Sequence, residues 1–361
     1  MKPDLHRIYN RSLKAPAALA VLLFAFPFVV PSPYFVGLMV LIGFYTIVGT
    51  GLSMLMGYAG QISLGHAAFY GVGAYTSAIM TAKMGMPSVV GIVAGALVAL
   101  VIAYIVGMPT LKLTEHYLAL ATLGFGVIIF IVFKQFKSLT GGLDGFFGIP
   151  PFEIFGFAFM TDFAYYYLVW PIALCGILYA RNVTQSRVGR ALRSLHGSET
   201  AANALGVNIQ KYKLQVFMMS AVYAAIAGSL YAHYVTFISP QLFEVMTSIH
   251  FLIMVIIGGV ANIWGALVGA AVFVFLSEGL KEVVPLIMSH AGGEFEIVFF
   301  GILLVVLLIY MPQGLMPAFD KAWKKRILHK DESYDENSTD TNVQLENERE
   351  NQVRMVGGGE G

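Results

Sequence analysis

Charge is what this sequence has least of. Only 12% of its 361 residues are Asp, Glu, Lys or Arg, against roughly 25% in soluble domains. Hydrophobic residues make up 57% and the mean hydropathy is +0.73. That leaves too little polar material to coat a globule of this size, which excludes a soluble enzyme. The charges nearly cancel, 22 Lys and Arg against 21 Asp and Glu. No basic surface for nucleic acid is therefore expected. A single cysteine, Cys175, excludes a disulfide framework and a cysteine-based zinc site. Its apolar surroundings in sequence read as those of a small buried hydrophobe. No G-x-x-x-x-G-K-[ST] loop occurs, so the chain does not hydrolyse ATP itself. Acids are also scarce in the apolar runs. Glu115 lies just before one, and Glu278 near the outer end of another. Proton-driven carriers place ionisable groups at depth, so self-powered proton coupling is disfavoured. No His, Asp or Cys cluster at ligand spacing supports a metal-dependent membrane enzyme.

What is present is apolar sequence in blocks. At about 20 residues per crossing, the chain has room for about ten. The runs are Ala15–Val30, Phe35–Met56, Ile62–Thr81, Ser88–Met108, Tyr117–Phe133, Ala164–Ala180, Leu214–Val235, Ile249–Ala261, Ile263–Val284 and Phe295–Tyr310. The expected fold is all-α, a polytopic helical membrane bundle with both termini cytoplasmic. Lys2, Arg7, Arg11 and Lys14 flank the first run. With no small-x-small cleavage pattern after it, this reads as a retained span that starts inside. Gln185–Lys213 then falls inside, with Arg187, Arg190, Arg193, Lys211 and Lys213 against Glu199 alone. Within the less apolar Lys134–Phe163, the loop around Gly141–Asp162 falls outside and carries Asp144, Glu153 and Asp162. The final run precedes Lys321, Lys324, Lys325 and Arg326, again inside. Gly and polar residues near Ile62 and Asn262 point to one or two broken or re-entrant helices, which must face protein or a cavity.

The organisation is thus a basic cytoplasmic segment over 1–14, a transmembrane domain over 15–316 with a cytoplasmic loop at 181–213, and a tail over 317–361. From about Asp331 the composition is polar and acidic, and disorder is expected. Small-x-x-x-small faces at Gly91/Gly95 and at Ala261/Gly265/Gly269 suit close helix packing, within this chain or against another.

The inside loop holds Ser198-Glu199-Thr200-Ala201-Ala202-Asn203-Ala204-Leu205-Gly206. Ser198 suits an N-cap, Glu199 the positive start of a helix, and Gly206 its C′ position. The product is a helix of about two turns, too short to stand alone in water. Ala201, Ala202 and Leu205 form its expected apolar stripe. It docks either on a partner or back on its own spans.

These residues carry a resemblance. Glu-x-Ala-Ala-x-x-x-Gly at Glu199–Gly206 resembles the coupling motif of ABC importer permeases. Its approach, Ser186-Arg187-Val188-Gly189-Arg190-Ala191-Leu192-Arg193, resembles the branched-chain amino acid permeases. Gly57-Tyr58-Ala59-Gly60-Gln61-Ile62-Ser63-Leu64-Gly65-His66-Ala67-Ala68-Phe69 is similar to that family's most recognisable stretch. So are Tyr117–Gly126, Thr140-Gly141-Gly142-Leu143-Asp144-Gly145 with Gly148-Ile149-Pro150, Ile257-Gly258-Gly259, Ile263-Trp264-Gly265 and Pro312-Gln313-Gly314-Leu315. The likeness runs in order from about Gly37 to Leu315. It looks most like the larger, LivM-type of the family's two permeases. Val127, the stretch Leu195-His196-Gly197-Ser198, and Ala266 depart from the family pattern.

The resemblance implies an importer in the bacterial inner membrane. Its parts would be a second permease, two cytoplasmic ATPases that bind ATP and Mg, and an extracytoplasmic amino-acid-binding protein. No cofactor or metal is expected in this chain. Leucine, isoleucine and valine are the implied cargo. Urea, amides or other amino acids stay open, as does an ATP-independent channel or carrier. Arg190, Arg193, Ser198, Glu199, Ala201, Ala202 and Gly206 are the expected coupling residues. Gln61, Ser63, His66 and Thr122 are the pathway candidates, because polar groups and a helix break meet there.

Overall fold

The computed structural model describes residues 20–111, 113 and 115–287, with scattered positions between 298 and 316. The basic N-terminal flank, much of the Phe295–Tyr310 run, the basic cluster after it and the acidic tail lie outside the described residues.

Backbone in lipid must satisfy its own hydrogen bonds, and the apolar blocks accordingly form helices. In chain order these are α1 (Ala20–Val29), α2 (Pro33–Ala59), α3 (His66–Ala82), α4 (Ser88–Thr110), α5 (Glu115–Gln135) and the single turn α6 (Lys137–Thr140). A two-stranded hairpin follows, β1 (Glu153–Ile154) and β2 (Phe157–Ala158). Then come α7 (Asp162–Gln185), α8 (Arg187–Gly197), α9 (Glu199–Ala204), α10 (Ile209–Val235), α11 (Val245–Gly258) and α12 (Ile263–Ile287). Among the described residues, six helices are long and apolar enough to cross a membrane. α1 and α11 are shorter apolar helices.

The centre is made by α2, α3 and α10, with α4, α7, α11 and α12 packed around them. α4 shows how. Its buried positions are Ser88, Gly91, Gly95, Ala99, Ala103 and Gly107, small residues about one turn apart. Val93, Leu97, Val101, Ile105 and Met108 are exposed. Small inward and large outward is the arrangement that lets helices approach where both sides are apolar. Gly91 lies against Ser77 and Gly95 against Ser229 and Gly73, so this face packs within the chain. The second small-residue face does the same. Gly258 meets Gly265, and Gly269 meets the Met254 carbonyl, closing the α11–α12 hairpin.

Both expected helix breaks are present. α2 ends where Gly60 turns left-handed (φ 65°), and Gln61 to Gly65 is not helical before α3 starts at His66. The span expected from Ile62 is therefore shorter at its start. The second break is the turn at Gly259 (φ 110°), after which Asn262 Oδ1 accepts from Trp264 N at 3.0 Å. α11 has 14 residues. At about 1.5 Å per residue it is too short for a core of about 30 Å. It begins beside the middle of α3, where Phe243 packs on Gly71 and Tyr75. It ends near the end of α2, where Ser53 Oγ donates to Val260 O at 2.9 Å.

The segment between α5 and α7 is held by its carbonyls. Lys83 Nζ donates to Ser138 O (2.6 Å) and Leu139 O (3.1 Å), and Phe146 bridges to Ile238. Lys137 pairs with Asp144 at 2.6 Å, which raises the lysine pKa. Cys175 corrects an expectation: it is exposed on α7. It lines an apolar groove of about 700 Å³ with Ile172, Tyr179 and Met219. An outward apolar face satisfies the same composition as a buried one.

Candidate functional site

The loop between α7 and α10 is narrower than expected, because α7 runs to Gln185 and α10 starts at Ile209. Its first part, α8, was not foreseen as a helix. Ser186 caps it, accepting from Val188 N at 3.1 Å. Gly189, Leu192 and Leu195 are its buried face. Gly189 sits so close to the Thr184 carbonyl that a Cβ would overlap it. Arg190 and Arg193 project from the opposite, exposed side. The signal for α8 was readable: apolar residues at three-residue spacing among arginines mark an amphipathic helix.

α9 follows at once. Ser198 Oγ accepts from Ala201 N at 3.3 Å, the expected N-cap. Gly206 is left-handed (φ 79°), and Val207 N donates back to Ala202 O at 3.0 Å. The expected stripe is split, however. Ala202 is 1% exposed and packed into this chain, whereas Leu205 is 82% exposed and Ala201 is exposed too. A helix of about two turns has room for both faces, and Ala202 anchors while Ala201 and Leu205 face outward. Glu199 carries a second duty that the sequence did not reveal. It accepts a hydrogen bond and ion pair from Lys213, whose side chain is almost buried at the start of α10. Asn208 caps α10 itself through Lys211 N at 3.0 Å, so the Glu199–Lys213 pair is what ties the start of α9 to α10.

That ion pair has a measurable consequence. Glu199→Ala strands a nearly buried ammonium. The loss is discounted because Glu199 is half exposed, and a cost of about 1–3 kcal/mol is expected. Thermal unfolding of the detergent-solubilised protein should show a lowered midpoint. Lys213→Met added to Glu199→Ala should recover most of it. A single variant as stable as the parent would show that the pair contributes nothing.

The pathway candidates form a second cluster, where the break after α2 meets α5 and α10. His66 is fully buried; its Nδ1 is 3.0 Å from Ser63 Oγ and its Nε2 2.6 Å from Ser220 Oγ. Thr122 Oγ1 accepts from Leu64 N at 3.0 Å and donates to Ala119 O at 3.0 Å. Ser248 Oγ accepts from Ala67 N at 2.9 Å. Ser63, His66 and Thr122 are thus brought together, and their polar atoms close the irregular backbone of 61–65. Gln61 differs: it is 1% exposed, and neither its Oε1 nor its Nε2 has a hydrogen-bond partner among the described residues. No group of three or more metal-ligating side chains occurs among the described residues.

The multi-pass helical fold, closed by small-residue seams, is that of a membrane transport component. The chain belongs to the family of branched-chain amino acid transport system permease components, whose pattern matches residues 34–308. It is 31% identical over 323 residues to the high-affinity branched-chain amino acid transport system permease protein LivM of Escherichia coli K12, covering 83% of this chain and 74% of that one. It is 25% identical to the probable LivM of Methanocaldococcus jannaschii over 76% of this chain and 91% of the relative. LivH of Escherichia coli K12 is 26% identical over 75% and 91%. No solved structure matches.

Proposed function

We propose that this chain is a permease subunit of an ATP-driven importer that moves leucine, isoleucine and valine across the bacterial inner membrane by alternating access. About ten crossings with both termini cytoplasmic are part of that reading. So are a second permease, two ATPases that bind ATP and Mg, and an extracytoplasmic binding protein. The single observation that carries it is α9: a capped helix anchored inward by Ala202 and presenting Ala201 and Leu205 to something outside the chain. The names of the relatives supply the cargo.

The mechanism follows from how α9 is held. ATP-driven closure of the partners would displace α9. The Glu199–Lys213 pair passes that displacement into α10. α10 packs on α2, α3 and α4, so it cannot move without the centre of the bundle. α8, docked on α7 and α2, is the second arm. Arg190 and Arg193 flank the contact with positive charge.

The test is to tag the chain, extract the membrane gently and identify what co-purifies. Two P-loop ATPases and a second permease are expected, with ATP-dependent leucine uptake after reconstitution. Uptake of urea or amides in competition would redirect the cargo. A chain recovered alone that moves solute without ATP would overturn the coupling role.

A further inference from the structure

The structure contains a second break-associated site, away from Gln61. After α10 the chain turns inward through a 3₁₀ turn at Pro240–Phe243 and starts α11 beside the middle of α3. A half-length helix beginning at that depth leaves N–H groups of its first turn without the usual helical partners, although Thr247 N reaches Glu244 O at 3.1 Å. Glu244, its N-cap, makes no side-chain cap. Beside this N-terminus lies a cavity of about 170 Å³. Tyr70, Tyr231 and Thr247 give it a polar side, and Phe251, Met254 and Phe273 an apolar one. Gln241 lines it as well and is exposed.

Tyr70 is the informative residue. It is 3% exposed, yet its hydroxyl has no hydrogen-bond partner among the described residues. Burying an unpaired hydroxyl is costly, and Tyr70, unlike the equally unpartnered Tyr75, borders the cavity. A hydroxyl, an uncapped helix start and an apolar wall together match one ligand chemistry. A carboxylate is held by helix N–H groups and a tyrosine hydroxyl, and an aliphatic side chain lies against Phe251 and Met254. We propose that the cavity between the start of α11, Tyr70 and Tyr231 is a binding site for the free zwitterion of a small aliphatic amino acid on its way through the permease. This rests on the importer reading and deepens it by locating the cargo.

The experiment has two arms. In cells lacking the parent gene and complemented with the chain, leucine uptake is compared for wild type, Tyr70→Phe and Tyr75→Phe at equal membrane abundance. Tyr75 is the control, because its hydroxyl is also buried and unpartnered but lies outside the cavity. Tyr70→Phe should lower the maximal rate roughly tenfold or more, the scale of one lost hydrogen bond to a charged group, with Tyr75→Phe unchanged. If the hydroxyl were only structural, both variants would be neutral or more stable. In the second arm, Gln241→Cys is placed in a Cys175→Ser background and labelled in membranes with a thiol reagent. Leucine should slow labelling severalfold, and glutamate should not. Wild-type uptake by Tyr70→Phe without leucine protection would overturn the site and leave the importer reading standing. Absence of leucine uptake by the wild type would instead overturn the proposed cargo, while protection, which needs neither ATP nor partners, still decides the site.

Discussion

Gly228→Leu should leave almost no folded protein in the membrane. Gly228 lies where α10 crosses α3, and a Cβ built there overlaps the Tyr70 carbonyl oxygen. Gly73 makes the reciprocal approach, its Cβ overlapping the Ala225 carbonyl. Ser229 Oγ lies 2.9 Å from Gly73 O across the crossing and 2.9 Å from Ala225 O of its own helix, and its one proton is shared between them. The obstacle is backbone, which no rotamer change can move aside. Separating the helices would break the Ser229 contact with Gly73 O and open voids along the bundle's most extensive contact. Overpacking a core usually costs about 1–3 kcal/mol. Here roughly 3 kcal/mol or more is expected, comparable with a large part of a protein's net stability. Gel filtration of solubilised membranes, detected through a fluorescent fusion, reads the result as loss of the monodisperse peak. Gly124→Ala is the comparison, since a Cβ there meets nothing within 4 Å. It should be neutral or stabilising, because alanine is the better helix former by about 1 kcal/mol. A normal peak for Gly228→Leu would mean that α3 and α10 do not cross this closely.

Leu205→Asp should abolish ATP-dependent uptake while the protein remains folded. Leu205 is 82% exposed at the end of α9, so its removal disturbs no internal packing. An apolar anchor in a partner's groove is worth about 2 kcal/mol or more, a factor of roughly 30 in dissociation constant. Aspartate adds a buried charge to that loss. Recovery of the ATPases with the tagged chain should fall with transport. Ala202→Arg should also stop transport, for a different reason. Ala202 is 1% exposed, and an arginine there must push α9 off its own bundle. Its thermal midpoint should therefore drop where that of Leu205→Asp does not. Full uptake by Leu205→Asp would remove α9 from the coupling role.

Much of the fold was legible. Long apolar blocks predict helices whatever surrounds them, and α2, α4, α10 and α12 lie where the hydropathy put them. Their ends were misplaced for a consistent reason. α7 and α10 continue past the apolar blocks to Gln185 and from Ile209, because helical hydrogen bonding continues into water while hydropathy does not. The caps at Ser198 and Gly206 were readable because capping is local, a matter of one side chain and its nearest amides. Lys213 was not, since its partner Glu199 lies 14 residues away across a turn. Nor was the difference between His66 and Gln61. Both are polar residues at one helix break, and Ser63 and the Ser220 that arrives from α10 reach His66, whereas nothing among the described residues reaches Gln61.

The sequence by itself determined that this chain lives in a membrane, that it crosses as helices, where a short capped helix interrupts them, and which family it belongs to. Those properties depend on composition and on residues a few positions apart. Only the tertiary structure decided which way each face turns. It put the small side of α4 inward and Cys175 outward, and it set Ala202 against the bundle with Leu205 away from it. It also set the start of α11 beside Tyr70. The physical reason is that lipid and protein interior are both apolar. Hydropathy cannot tell a lipid-facing side chain from a buried one, and only the packing of one helix on another separates them.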